Sequence, residues 1–384
     1  MSGLRRAFAP AWAAVRGALP GLALAVALAT LARGMAQALA LGVGGLPKFP
    51  LSPVMCAVLL GMLWRNSIGV PGWATRGLDW TMHRLLRVGI ALVGLRLTLA
   101  GASAIALTAV PVALSCMTVA LLAGVGIARA LAVPRRLGLL LAIGTAVCGC
   151  TAVVAVSPVI RARHAETAFA VTCVVLFGCI AMLCYPWVAG HFLAASPLHA
   201  GIFLGTAIHD TSQVIGAALI YSQQAAAPAA LAAASVAKLL RNLSIAVLVP
   251  TAAWLVQRHE RRAGRTPADA AAQESAPRAV AAAARTRPPL VPLFVLAFIG
   301  FIVVRTVGDA LYGAPAPLWQ ALINTGYTAS DLFLTCGMTA VGLSVSFTDM
   351  WRIGWRPLAA GFVVATLVGS CSLLLTCGMA RFLG

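Results

Sequence analysis

Apolar runs near twenty residues long, each bounded by charge, recur along the whole chain, and no other feature narrows its fold so far. A helix of about 20 apolar residues crosses a hydrocarbon core of about 30 Å. Such runs fall at 17–40, 51–66, 85–104, 105–130, 137–160, 166–189, 198–221, 228–256, 289–312, 318–347 and 357–382. They predict an all-α polytopic membrane protein of about 11 transmembrane helices. The second run is short and the tenth long, so both are expected to tilt, break or re-enter. Arg5, Arg6 and Arg16 give the first run the flanks of a signal peptide, yet ten more follow, and a retained signal-anchor helix is expected. Charged residues make up 10% of the chain, against about 25% for a domain whose surface faces water.

The net charge of +19, from 28 Lys and Arg against 9 Asp and Glu, first suggests nucleic-acid binding. The positions exclude it, because the basic residues fall mostly in the short gaps between apolar runs, as cytoplasmic loops require. Arg76, Arg84 and Arg87 cluster at the junction of runs two and three, and Arg129, Arg135 and Arg136 at the junction of runs four and five. The N-terminus is therefore expected in the cytoplasm. Residues 257–287, rich in Arg, Ala, Pro and Thr, read as a flexible cytoplasmic linker. Arg352 and Arg356 place the last gap inside and the C-terminus outside. Arg161 and Arg163 fall on the wrong side of this scheme, marking either a topology error or residues of the transport path.

One polar interruption occurs twice. Cys148-Gly149-Cys150-Thr151-Ala152-Val153 and Cys336-Gly337-Met338-Thr339-Ala340-Val341 match at five of six positions. An odd number of crossings from one copy to the other would run the two in opposite directions, the mark of an inverted-repeat transporter with its site where helices break. Breaks at Gly149 or Gly337 would expose half-helix N-termini suited to an anion. Small residues are also enriched wherever membrane helices pack closely, which is the competing explanation. A weaker match, Gly144-Thr145-Ala146 with Gly205-Thr206-Ala207, is suggestive only.

An ionisable side chain at membrane depth costs roughly 2.5–3.5 kcal/mol, so its presence suggests function. Five consecutive polar residues, His209-Asp210-Thr211-Ser212-Gln213, occupy the middle of the seventh run. A continuous lipid-facing helix would point them all round, so local unwinding is expected. Lys238 and Arg241, three apart and on one helical face with Asn242 and Ser244 beside them, call for an anion. Asp210 or a bound substrate would serve, and a buried lock between two helices is the structural alternative. Arg96 sits deep in the third run, whereas Arg305 and Asp309 read as a local helix pair.

The ten cysteines lie in apolar stretches without Cys-x-x-Cys or His at zinc spacing, so packing roles are expected and no metal. Gly124-Val125-Gly126 lies inside an apolar run and is no dinucleotide fingerprint. With no nucleophile elbow, zinc-protease motif or P-loop, the chain is expected not to be an enzyme, to need no cofactor and to draw on a gradient.

Three motifs in order, Gly144 to Ala152, Ile208 to Val214 and Lys238-Leu239-Leu240-Arg241, resemble the YeiH-type family of candidate sulfate exporters, over most of the chain from about the second run. Cys150 departs from the small Ala or Ser expected there. The resemblance implies a polytopic inner-membrane protein exporting sulfate or a related anion, distantly similar to transporters with crossed broken helices. The combined expectation is a secondary transporter of a small inorganic or organosulfonate-derived anion, with a cation–proton antiporter of the same architecture as the alternative. Its parts would be an extra helix (1–45) and two inverted five-helix repeats, 46–195 and 196–384. The expected site comprises Lys238, Arg241, His209, Asp210, Gln213, Cys148, Gly149, Thr151, Cys336, Gly337 and Thr339. Expected partners are the anion, the lipid bilayer, a coupling proton or cation and, where the chain oligomerises, its own copies; nucleic acid is not expected.

Overall fold

The computed structural model describes residues 2–41, 51–160, 162–245, 248, 251, 293–313, 316–348 and 355–383, with side chains from Gly17 onward in the first segment. The linker 257–287 and Arg161 lie outside the described residues. Everything regular among the described residues is helical. The order is α1 (Ser2–Leu41), α2 (Pro53–Ser67), α3 (Gly72–Trp80), a π-turn (Thr81–Leu85), α4 (Leu86–Val93), a 3-10 turn (Gly94–Arg96) and α5 (Leu99–Ala130). Then follow α6 (Arg135–Ala146), α7 (Cys150–Val156), α8 (His164–Phe192), α9 (Pro197–Ala207), α10 (Thr211–Gln224) and α11 (Pro228–Leu243). The last three are α12 (Leu293–Tyr312), α13 (Pro317–Ser344) and α14 (Trp355–Leu383). Among the described residues five stretches are long and apolar enough to cross a membrane: 17–41, 99–130, 165–192, 293–312 and 355–382. The chain is a multi-pass helical membrane protein.

Helix starts follow capping chemistry. Ser52 accepts a hydrogen bond from the Met55 N–H at 3.1 Å, and Pro53 takes the first position of α2, where its missing N–H costs nothing. Thr98 accepts from the Gly101 N–H at 3.2 Å and opens α5 after the extended Leu97. The expected boundary between runs three and four at 104/105 is thereby corrected to 97–98. A second correction concerns Arg76, Arg84 and Arg87. They lie on the continuous α3–π–α4 rod and not in a loop, because the π-turn inserts one residue without ending the helix.

Two compact units are interleaved along the chain. Unit 1 takes residues 1–103, 215–235 and 293–348; unit 2 takes 104–214, 236–292 and 349–384. This division differs in kind from the sequence repeats 46–195 and 196–384. In unit 1, α13 packs on α2, α4 and α1, and α12 packs on α4. In unit 2, α14 packs on α9, α8 and α6, while α8 packs on α6, α7 and α9.

The second Cys-Gly copy lies in unit 1 on α13, which runs unbroken from Pro317 to Ser344. No interruption occurs at Gly337, and the expected break or re-entry of the tenth run is corrected to a single helix. Thr339 returns its hydroxyl to the Thr335 carbonyl at 3.0 Å. The small residues here make room for neighbours: a Cβ on Gly342 would stand 2.4 Å from the Val58 carbonyl oxygen, and one on Gly337 would stand 2.6 Å from Leu86 Cδ1. Cys336, Gly337 and Thr339 are buried packing positions of this helix.

Candidate functional site

Two helix interruptions lie in unit 2. The polar run at 209–213 does what its composition demands: α9 ends at Ala207, Ile208 is extended (φ −88°, ψ 144°), and α10 restarts at Thr211. The other interruption separates α6 from α7. Val147 leaves helical geometry (φ −116°, ψ −96°), and Gly149 turns the chain at φ +66°. Only glycine takes that conformation cheaply. Gly149 is needed for space as well, since a Cβ there would lie 3.1 Å from the Cα, Cβ and Oδ2 of Asp210. The two breaks therefore touch, Gly149 of one against Asp210 of the other.

Each interruption frees main-chain carbonyls that a membrane interior cannot hydrate. Lys238 and Arg241, on one face of α11, take them. The Lys238 ammonium donates to the carbonyls of Val147 (2.8 Å), Ile208 (3.3 Å) and His209. Arg241 Nη2 donates to Thr145 (2.6 Å) and Ala146 (2.9 Å), Nε to Ala146 (3.2 Å), and Nη1 to Thr206 (2.7 Å) and Ile208 (2.9 Å). Both side chains are 0% exposed. The negative ends of two half-helices thus converge on two cations, a favourable dipole arrangement. Sequence reasoning expected Asp210 or a bound substrate to pair with these cations, with a buried lock between two helices as the alternative. Instead they are sealed, and their donors are spent on backbone oxygens.

Asp210 is turned to another task. Its Oδ1 accepts from the Ser212 N–H at 2.9 Å and from the Ser212 hydroxyl at 2.5 Å, capping α10, and the residue is only partly buried. Gln213 donates to the Val175 carbonyl (3.0 Å) and to Cys179 Sγ (3.3 Å). Gly178 clears its place, because a Cβ there would fall 1.8 Å from Gln213 Oε1. Asn242 donates to the Thr211 hydroxyl at 3.3 Å. Unused polar capacity remains around the breaks: both ring nitrogens of His209, Oε1 of Gln213 and Oδ1 of Asn242 are buried without a hydrogen-bond partner.

Of the expected site residues, unit 2 brings together Lys238, Arg241, His209, Asp210, Gln213, Cys148 and Gly149. Thr151 follows directly on α7 with its side chain exposed. Cys336, Gly337 and Thr339 belong to unit 1. Arg163 stands at the start of α8, where its N–H donates to Glu166 at 2.7 Å. The Arg96 guanidinium is paired with Asp331 at 2.7 Å, inside unit 1. Arg305 pairs with Asp309 as expected at i, i+4, and is further tied to Tyr327 at 2.9 Å, while Trp319 donates to Asp309 at 2.7 Å. The sequence reading missed the main-chain carbonyls of Thr145, Ala146, Val147, Thr206, Ile208 and His209. The signal for them was the weaker match: Gly144-Thr145-Ala146 and Gly205-Thr206-Ala207 are the last residues before each break. Thr206 also shares a buried hydrogen bond with Ser372 on α14, at 2.7 Å.

Two interrupted helices cross-tied by buried cations define a membrane protein with a polar centre inside a helical unit. The chain belongs to the family described as Conserved hypothetical protein 698, whose family model matches residues 20–361. This is the YeiH-type family that the three motifs resemble. A UPF0324 membrane protein of Ralstonia nicotianae is 32% identical over 322 residues, covering 82% of each chain. Another, of Pseudomonas putida, is 29% identical over 384 residues and covers 98% of each. A third, of Oceanobacillus iheyensis, is 29% identical over 88% of this chain and 92% of its own. No solved structure matches significantly.

Proposed function

We propose that the chain is a secondary transporter of a small anion, not an enzyme, and that the substrate passes beside the two breaks of unit 2. One observation carries the reading: Lys238, Arg241 and Asp210 leave a net charge of +1 beside two half-helix junctions. The donors of both cations are spent on main-chain carbonyls, but no second carboxylate among the described residues balances their charge, and a net positive charge at membrane depth favours a passing anion. His209, with a buried ring N–H that has no partner, is the donor offered to that anion; Gln213 and Asn242 offer acceptors to its water or proton. The substrate class is an inorganic or organosulfonate-derived anion such as sulfate, exported across the inner membrane, with a proton carried on Asp210. The proposal includes eleven spans, a cytoplasmic N-terminus and a five-plus-five inverted repeat with one extra N-terminal helix. Support for the repeat comes from the way each compact unit draws on both halves of the chain.

A cation–proton antiporter is the second reading. It is favoured by the partial exposure of Asp210 while the cations beside it are sealed. Radiolabelled sulfate flux into proteoliposomes, with and without an imposed pH gradient, separates the two. Anion transport predicts uptake above protein-free vesicles, with a pH dependence that Asp210→Asn alters more than it alters apparent affinity. Sodium–proton exchange without sulfate flux, lost entirely in Asp210→Asn, would overturn the anion reading.

A further inference from the structure

The environment of Lys238 is that of an ion, not of a ligand-binding side chain. Its ammonium is wholly buried, and its contacts are main-chain carbonyl oxygens of Val147, Ile208 and His209, two of them at 2.8 and 3.3 Å. Channels that hold a bare monovalent cation do so with rings of main-chain carbonyls in place of water. An ammonium group has the charge of such an ion and a similar coordination distance. The oxygens belong to the residues just beyond the C-terminal ends of α6 and α9, where the helix dipole is negative.

We propose that the carbonyls of Val147, Ile208 and His209 form a monovalent-cation site, and that the chain fills it with the tethered ammonium of Lys238. Arg241 completes the arrangement without sharing the site. Its flat guanidinium takes the carbonyls of Thr145, Ala146 and Thr206, and meets the cage only at Ile208. Lys238 is thereby a positioning residue: it holds the two half-helix ends in register and does not grip the substrate. Taken with the transport reading, on which this consequence rests, no alkali ion needs to travel with the substrate at this position.

The test uses no flux, so it succeeds or fails independently of the transport reading. Wild-type protein and Lys238→Ala are purified in detergent in choline, sodium, potassium or ammonium chloride at equal ionic strength, and their melting temperatures compared. The wild type should melt at the same temperature in all four salts, because its site is occupied. The Ala variant should melt lower in choline and recover in potassium or ammonium, by about 3 °C for an ion present at about a hundred times its dissociation constant. Choline is too large for the cage and serves as the blank. Equal melting of a folded Ala variant in all four salts overturns the proposal. Should that variant fold in none of them, Lys238→Gln decides, since its amide oxygen can join the three carbonyls round an ion. Higher stability of Lys238→Gln in potassium or ammonium than in choline supports the site, and equal stability in all salts overturns it.

Discussion

Residues 148–153 and 336–341 share five of six residues, yet the first stretch straddles a break and the second is uninterrupted helix. Local sequence is nearly the same, so it does not decide the outcome. What differs is the supply of hydrogen-bond donors. Beside the first copy, Lys238 and Arg241 bring charged donors to the carbonyls of Thr145, Ala146 and Val147. The second copy keeps its carbonyls inside the helix, and even the Thr339 hydroxyl turns back to Thr335. A Cys-Gly-x-Thr segment therefore permits a break, whereas a buried cation stabilises one. In lipid an unsatisfied carbonyl costs several kcal/mol, so permission alone leaves a helix intact.

The largest expected effect comes from taking the donors away. Arg241→Met leaves the carbonyls of Thr145, Ala146 and Thr206 buried without that partner, and removing one side of a buried charged network costs about 3–5 kcal/mol. The variant should fail to give a monodisperse peak on size exclusion under conditions in which the wild type survives. A wild-type profile would break the claim that cations hold the interruption open.

Glycine replacement sharpens the contrast between the copies. Gly149→Ala must adopt φ +66° and press on Asp210, at a cost of about 1–3 kcal/mol. Gly337→Ala meets the Leu86 side chain, and overpacking of that kind also costs about 1–3 kcal/mol. Both should lower the melting temperature. Only Gly149→Ala should also lower sulfate flux per folded molecule, and equal loss of flux in both would put the second copy back into the transport path.

The smallest effect probes the support behind the break. Gly178→Ala should displace the Gln213 side chain, and Gln213→Ala removes the obstacle, so the double variant should be more stable than the sum of the single changes implies. A coupling of about 0.5–3 kcal/mol is expected for groups in contact. Additive thermal stabilities would show that Gln213 is not positioned by Gly178.

The polar run from His209 to Gln213 was legible as a break because five polar side chains cannot all leave lipid from one continuous helix. The cations were legible for the same energetic reason, but their partners were not. Identity at five of six positions drew attention to the Cys-Gly copies, whereas the residues that end α6 and α9 share the shorter pattern Gly-Thr-Ala followed by Val147 or Ile208. A site built from carbonyl oxygens has little side-chain signature, since every residue carries the same main-chain group.

What the sequence determined by itself is the solvent: long apolar runs between charges can be buried only in lipid. It also determined where charge would be costly enough to need an explanation, at Asp210, Lys238 and Arg241. Tertiary structure decided the direction of each charge. Packing in unit 2 set α11 beside two half-helix ends, so Lys238 and Arg241 met carbonyls and Asp210 was left to cap α10. Hydrogen-bond geometry reaches only about 3 Å, so that choice rests on where helices distant in sequence come to lie.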